Sequence, residues 1–235
     1  MPGERITQHQ EVDMTISGSA SGSAPAASRA SPADRTPVAR QVYFDVLYRR
    51  RDPYGTRRRW YERRKRRVLL DALPRERFVH AFEPACGSGE LTFELAARCD
   101  QVLASDFCGA ALAQARQKVH ALHNVEFAEH CVPTQWPAAA GRFDLIVVSE
   151  LCSFLDAAEV AHLGQRCAAS LDGDGVLVAC DWRHPFDARE LDAEAAHALL
   201  DTIGLHRLVR HEEEDFLLTV WSRDGRSVAR QEGIV

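Results

Sequence analysis

The side chains with the most chemical potential in this chain gather where short apolar runs end. Phe82-Glu-Pro-Ala-Cys-Gly-Ser-Gly89 is a glycine-rich turn opened by an acid, Glu83, and followed by a helical pattern. Glycines there, Gly87 and Gly89, let a ligand approach the backbone, and the next helix N-terminus offers free N–H donors. Asp106 closes the following apolar run, where one carboxylate can accept two hydroxyls of a bound ribose. At roughly 1.5–3 kcal/mol per charge-assisted bond, the pair is worth on the order of 3 kcal/mol, about a hundredfold in affinity. Glu150 follows the run Phe143–Ser149, and Asp181-Trp-Arg-His184 follows another at Gly175–Cys180. A carboxylate and an imidazole on one sheet edge suit proton transfer. His184 is the preferred base, Asp181 its orienting partner or a hydrogen-bond acceptor for a ligand hydroxyl, and Glu150 a carboxylate projecting into the same cleft. Each has a plainer reading: Glu150 as a strand-end acid or helix cap, His184 as a surface loop histidine, Trp182 as core.

Two phosphate-binding readings of the turn fail on composition. A dinucleotide fingerprint needs a third glycine where Thr92 stands, and a P-loop needs a Gly-Lys-Ser/Thr that the turn lacks. Glu83 would also repel a pyrophosphate. A cofactor carrying an amino group and no phosphate suits an acid-opened turn better.

The elements that must position these residues alternate. Strands are expected at Phe78–Phe82, Val102–Ser105, Val125–Glu129, Phe143–Ser149, Gly175–Cys180, Leu205–His211 and Asp215–Trp221. Helices are expected at Glu90–Arg98, Ala110–Leu122, from Asp156 (a capping box with Glu159) and at Ala193–Ile203, stopped by Gly204. Strand–helix alternation closing on a hairpin implies an α/β fold whose sheet is parallel except at its last strand, with helices on both faces. Thr15–Ala39 is built almost wholly of Ser, Ala, Gly and Pro, too poor in large apolar side chains to offset the entropy of ordering. Residues 1–39 are therefore expected to be a disordered tail, 40–223 one domain, and 224–235 a loose end.

Glu83-x-Ala-Cys-Gly-Ser-Gly89 followed by Asp106 resembles the cofactor motif of class I S-adenosylmethionine (SAM) methyltransferases. The resemblance covers residues 40–223 and implies a Rossmann-like seven-stranded sheet with an antiparallel last strand. It implies SAM as cofactor, its methionine end on the loop Glu83, Ala85, Gly87, Gly89, its ribose on Asp106, and its adenine beside Phe107. Ala85 stands where the commonest motif has its first glycine, and Cys131 where many members carry an acid for the adenine amino group. That edge then falls to backbone atoms at Val132, or to Glu129. Trp60-Tyr-Glu-Arg-Arg-Lys65, Ala81–Cys86, Phe143–Glu150 and Asp215–Trp221 further resemble the nodulation methyltransferase NodS family, which implies N-methylation of an amino sugar, the free amine of a deacetylated chito-oligosaccharide. By the same resemblance residues 40–75 form a helical lid, with Trp60, Tyr61 and Arg64 facing the cofactor and Arg64 pairing with its carboxylate.

Composition bounds the alternatives. The formal charge is −5, and no apolar run approaches the ~20 residues of a membrane span. Met1–Met14 has no apolar core of a secretory leader. The seven cysteines are scattered without C-x-x-C spacing, which points to reduced thiols in a cytoplasmic protein and to no metal site. Arg49–Arg67 carries eleven arginines and lysines against Asp52 and Glu62. That segment could be a platform for RNA or another polyanion, a solvated helix face, or the lid. The acidic balance elsewhere, and Ser149-Glu-Leu-Cys152 where base-amino methylases carry an Asn/Asp-Pro-Pro-aromatic motif, argue against nucleic acid and for a small-molecule acceptor. A cofactor-binding protein without catalysis is the third reading, and it would need neither Glu150 nor His184.

Overall fold

The computed structural model describes residues 37–235. The expected tail lies outside these residues except for 37–39, which open the first helix, α1 (Pro37–Leu47). Residues 224–235 carry a short helix, Val228–Gln231, capped by Ser227.

The chain continues through α2 (Trp60–Asp71), β1 (Phe78–Pro84), α3 (Glu90–Ala96), β2 (Cys99–Asp106), α4 (Gly109–Lys118), β3 (Val125–Glu129) and β4 (Phe143–Ser149). It then runs through α5 (Ala157–Ser170), β5 (Leu171–Trp182), α6 (Ala193–Leu200), β6 (His206–Glu212) and β7 (Phe216–Ser222). The strands form a seven-stranded sheet in the order β3-β2-β1-β4-β5-β7-β6. All neighbours pair in parallel except β7, which runs antiparallel to both β5 and β6. The alternation predicts a mostly parallel sheet with an antiparallel last strand, and the seven-stranded order is the Rossmann-like one that the resemblance implies.

Burial explains the strand composition. Phe143–Val148 and the whole of β7 are buried, as near-continuous apolar runs covered on both faces must be. One face packs Leu69, Leu70 and Leu73 from the α2 region and Leu91 and Leu95 from α3 against Phe78, Leu145 and Val178. The other packs Val160, Leu163 and Cys167 of α5 and Ala196 and Leu200 of α6 against Phe82, Ile146 and Leu177. Val160 and Leu163, both fully buried, together contribute roughly 3–6 kcal/mol. The start of α5 is fixed by the expected capping box: Glu159 N donates to Asp156 Oδ1 at 2.8 Å, and Asp156 N donates to Glu159 Oε2 at 3.0 Å.

Strand β5 starts at Leu171, earlier than expected, because Leu171 already pairs with Phe143; the register shift before the Leu145–Val176 pair leaves Asp172–Gly175 unpaired with β4. From β1 the order runs to β2 and β3 on one side, and from β4 to β5 on the other. The crevice beyond the carboxyl ends of β1 and β4 is thus the topological switch point where such sheets bind ligands.

Candidate active site

That crevice is a cavity of about 470 Å³. Its floor comes from the turns after β1, β2, β3 and β4, and its roof from α1, α2 and the segment between them.

The turn after β1 is held by acids and backbone amides. Asp106 Oδ2 accepts from Gly87 N and Oδ1 from Cys108 N, both at 2.9 Å, so one carboxylate ties the turn to the end of β2. Glu83, buried at the end of β1, accepts from Thr92 Oγ1 at 2.6 Å. Burial outweighs that hydrogen bond and, with nearby Asp106, pushes Glu83 up to about 8. Burial likewise raises Asp106 to about 6 against its amide donors. Gly87 has φ +55, and a Cβ there would come within 2.6 Å of Tyr48 Oη, so only glycine lets the roof close on this turn. Ala85, at φ 57, adopts the left-handed conformation without being glycine. Phe107, His130, Cys131 and Val132 continue the wall, and His130 Nδ1 is buried with no hydrogen-bond partner among the described residues.

Glu150 occupies the turn after β4, also left-handed, with φ 56. Its N donates to Cys180 O at 2.8 Å, and its Oε2 accepts from Trp182 N at 3.1 Å. Its Oε1 accepts from Lys65 Nζ at 2.5 Å; Lys65 also pairs with Glu62 at 3.2 Å and lies 5.2 Å from the Tyr61 ring centroid. Burial raises the Glu150 pKa, and Lys65 opposes the rise. Burial works against the Lys65 charge, but Glu150, Cys180 and Glu62 hold it well above its ordinary range. All four tyrosines of the chain, Tyr43, Tyr48, Tyr54 and Tyr61, line this cavity. Burial raises the pKa of each, so they stay neutral donors. Tyr61 stands edge-on to Trp182 at 5.6 Å, and its Oη has no partner among the described residues.

Of the residues singled out in the sequence, Tyr61, Glu83, Ala85, Gly87, Asp106, Phe107, Cys131, Val132, Glu150 and Trp182 line the cavity. Six do not. Glu129 ends β3 outside the lining. His184 lies beyond the end of β5, half-exposed, with Nε2 2.7 Å from Asp215 Oδ1. Asp181 turns into the core, because alternation along β5 sends it to the face opposite Trp182; it accepts from Cys152 N at 3.1 Å and meets His197 Nε2 at 3.2 Å. Trp60 is 60% exposed, flanked by the guanidinium groups of Arg63 and Arg67. Arg64 makes a two-pronged bond to Glu213, both contacts at 2.7 Å. Gly89 is not in the lining; it sets the approach of α3 to α4, since a Cβ would lie 2.9 Å from Ala115 Cβ.

Sequence reasoning missed Lys65, Glu62 and Arg66. The signal was present: Leu69, Leu70 and Leu73 are the buried stripe, and stepping back one helical turn at a time from them gives 65 and 66, then 61 and 62. Trp60 and Arg64 lie on the other face. Tyr61, expected to face inward, does line the cavity, whereas His130, Tyr43, Tyr48 and Tyr54 had no local spacing to betray them.

Among the described residues no group of three or more His, Cys, Asp or Glu could hold a metal ion, and no helix is long and apolar enough to cross a membrane. A family profile described as "Methyltransferase domain" matches residues 81–175. No curated protein matches the chain by sequence alone. Among solved structures, a Pseudomonas syringae protein described as a methyltransferase shares 47% identity, over 70% of this chain and 99% of that one, with a TM-score of 0.62. The N-methyltransferase NodS from Bradyrhizobium japonicum WM9, in complex with S-adenosyl-L-homocysteine (SAH), is 22% identical over 77% of this chain and 97% of its own, TM-score 0.70. Magnesium protoporphyrin IX methyltransferase from Synechocystis PCC 6803 with bound SAH is 15% identical over 80% and 100%, TM-score 0.60.

Proposed function

Because the chain belongs to the class I SAM-dependent methyltransferases, we propose that it methylates the amine nitrogen of a small acceptor, with an amino sugar as the first acceptor class. The observation that carries this reading is the Glu150 carboxylate on the cavity floor, held between Lys65 Nζ and Trp182 N in a left-handed turn.

The residues present fit the cofactor. Two buried carboxylates, Glu83 and Asp106, with burial-raised pKa values, suit the ammonium and ribose hydroxyls, since either partner would repay the cost of charging them. Gly87 keeps the turn open, and the unpartnered His130 Nδ1 lies on the same wall as Phe107 and Val132, where the adenine edge belongs. When bound, SAM supplies an electrophilic methyl group on a sulfonium. Everything else falls to the chain: alignment of the acceptor lone pair, exclusion of water, and proton removal.

An ammonium has no lone pair to offer, so an amine must shed a proton before attack. Glu150 is the group suited to take it, since burial raises its pKa toward working pH. Lys65, fixed between Glu150 and Glu62, balances the Glu150 carboxylate before it takes the proton and keeps Oε1 in place. Glu62 and Glu150 outnumber the Lys65 between them by one charge, and that net negative charge favours a cationic amine. Tyr61, Tyr54 and Trp182 supply aromatic faces on which an alkylammonium or a pyranose ring stacks. Residues 40–75 act as the lid: their inward faces close the roof, and the Arg63–Trp60–Arg67 stack remains on the outside.

The test is transfer of labelled methyl from SAM to a panel of free-amine sugars and simple alkylamines, with bulk RNA alongside. Label on amines supports the reading. Label on RNA alone makes the Arg49–Arg67 segment a substrate platform and overturns it. SAH binding without transfer to any acceptor in the panel would leave a binding protein and also count against it.

A further inference from the structure

We propose that His197, on α6 and outside the cavity, is a positioning residue that holds Glu150 in its working conformation through Asp181; the assignment of a use to Glu150 rests on the amine reading above. His197 and Asp181 are both 0% exposed, and Thr219 on β7 is 1% exposed. His197 Nε2 donates to Asp181 Oδ2 at 3.2 Å, and its Nδ1 lies 2.8 Å from Thr219 Oγ1. With Nε2–H assigned to the carboxylate, Nδ1 is left to meet the threonine hydroxyl, so both nitrogens are used.

Asp181 spends its second oxygen on the turn after β4. Three consecutive residues of β5 fasten that turn: Cys180 O accepts from Glu150 N at 2.8 Å, Asp181 Oδ1 accepts from Cys152 N at 3.1 Å, and Trp182 N donates to Glu150 Oε2 at 3.1 Å. The first and third are backbone groups of a strand already fixed by its pairing with β7. The middle one is a side chain whose direction depends on what holds it: the Cys152 thiol belongs to the turn itself, and His197 is the anchor from outside it. The turn needs holding, because Glu150 sits at φ 56, a conformation a non-glycine residue leaves unless the surroundings enforce it.

A core that needed only packing would not place a carboxylate and an imidazole here. Burying both costs desolvation that apolar residues of the same volume avoid. What the pair provides is direction. It carries the rigidity of α6 and β7 to a turn whose next contact is Lys65 on the roof. The chain of contacts runs Thr219, His197, Asp181, Cys152 N, and then, across two residues of the turn, Glu150.

The experiment compares wild type with His197→Leu and His197→Gln, the glutamine amide keeping a donor toward Asp181. Amide hydrogen exchange is followed by NMR on full-length protein with SAH bound, together with the SAH dissociation constant and steady-state methyl transfer. Expected in H197L is at least about tenfold faster exchange at Cys152 and Trp182, with Val147 and Val178 in the sheet centre unchanged. Turnover should fall roughly 10- to 100-fold at an unchanged SAH dissociation constant, the loss that misplacing one reacting group gives. H197Q should restore both. Unchanged exchange at Cys152 and Trp182 overturns the proposal, as does a uniform loss of protection across the sheet that glutamine does not restore. If H197L fails to fold, Thr219→Val, which removes only the hydroxyl behind the imidazole, is read by the same two amides. If the amides open as expected but wild type methylates no amine, the positioning role stands and the amine reading is what fails.

Discussion

Replacing Glu83 by glutamine should stabilise the free protein and weaken its hold on the cofactor, two effects of opposite sign from one carboxylate. The folded protein holds Glu83 at about 8, whereas the unfolded chain ionises it near 4.5. Between those values the unfolded state has shed a proton that the folded state keeps, so stability falls as pH rises from about 4.5 to about 8. At pH 7, about 2.5 pH units above the unfolded value, the penalty is on the order of 3 kcal/mol at 1.36 kcal/mol per unit. Glutamine escapes it and still offers an oxygen to Thr92 Oγ1. For a domain of this size the gain is a rise in Tm of roughly 6–10 °C at pH 7, shrinking toward zero near pH 5. A bound ammonium beside the carboxylate lowers the pKa again, so wild-type binding of SAH should expel a proton and tighten as pH rises toward 8. The E83Q affinity should be lower and nearly flat over the same range. Thermal melts at pH 5, 6, 7 and 8 with and without SAH, and titration calorimetry in two buffers of different ionisation heat, read both effects. Parallel pH slopes for wild type and E83Q, or a binding heat independent of buffer, would refute the assignment of the titrating proton to Glu83.

Glu150→Gln should lower turnover by about 10²-fold or more while SAH affinity, measured by calorimetry, holds; equal losses in both would place Glu150 in cofactor binding instead. Ala85→Gly should relieve the left-handed strain at φ 57, worth ~1–2 kcal/mol, against a smaller entropy cost of glycine, for a net gain of about 0.5–1 kcal/mol seen as a slightly higher Tm with activity kept. His184→Ala, despite the motif it sits in, should leave turnover near wild type, because the imidazole bonds Asp215 outside the cavity; a loss of roughly 10²-fold would restore it as the base.

How much of this was legible in the sequence divides at the middle of the cavity. The cofactor half depends on backbone conformation: Gly87 beneath Tyr48, a turn tied by Asp106, an acid at a strand end. Backbone demands of that kind write themselves into a contiguous motif, and Glu83, Ala85, Gly87 and Asp106, all in the cavity lining, are read from it. Strands buried on both faces, such as Phe143–Ser149, and caps such as Asp156 with Glu159 were equally readable, since each rests on neighbours in sequence. Gly89 belongs to the same motif but lies outside the cavity lining. Its space is taken by Ala115, a residue on another helix that no reading of the turn could supply.

The half proposed for the acceptor is written in side chains from α1, α2 and the ends of β4 and β5, and their directions depend on parity and phase. On β5 a shift of one residue exchanges the cavity for the core: Trp182 lines the cavity while Asp181 meets His197 behind it. On α2 a slip of one position in choosing the inward stripe brings forward Trp60 and Arg64 and hides Lys65. Aromatic and guanidinium residues drew the eye, yet the apolar anchors Leu69 and Leu70 set the phase, and they put a lysine between two glutamates over the floor. The rule that follows for chains of this kind is to fix each element by its buried residues first, and only then ask which polar side chains that phase delivers to the crevice. Applied here, it brings forward the Glu150–Lys65–Glu62 cluster ahead of a half-exposed histidine, and under the amine reading proposed above Glu150 is the group in that cluster that takes one proton before attack.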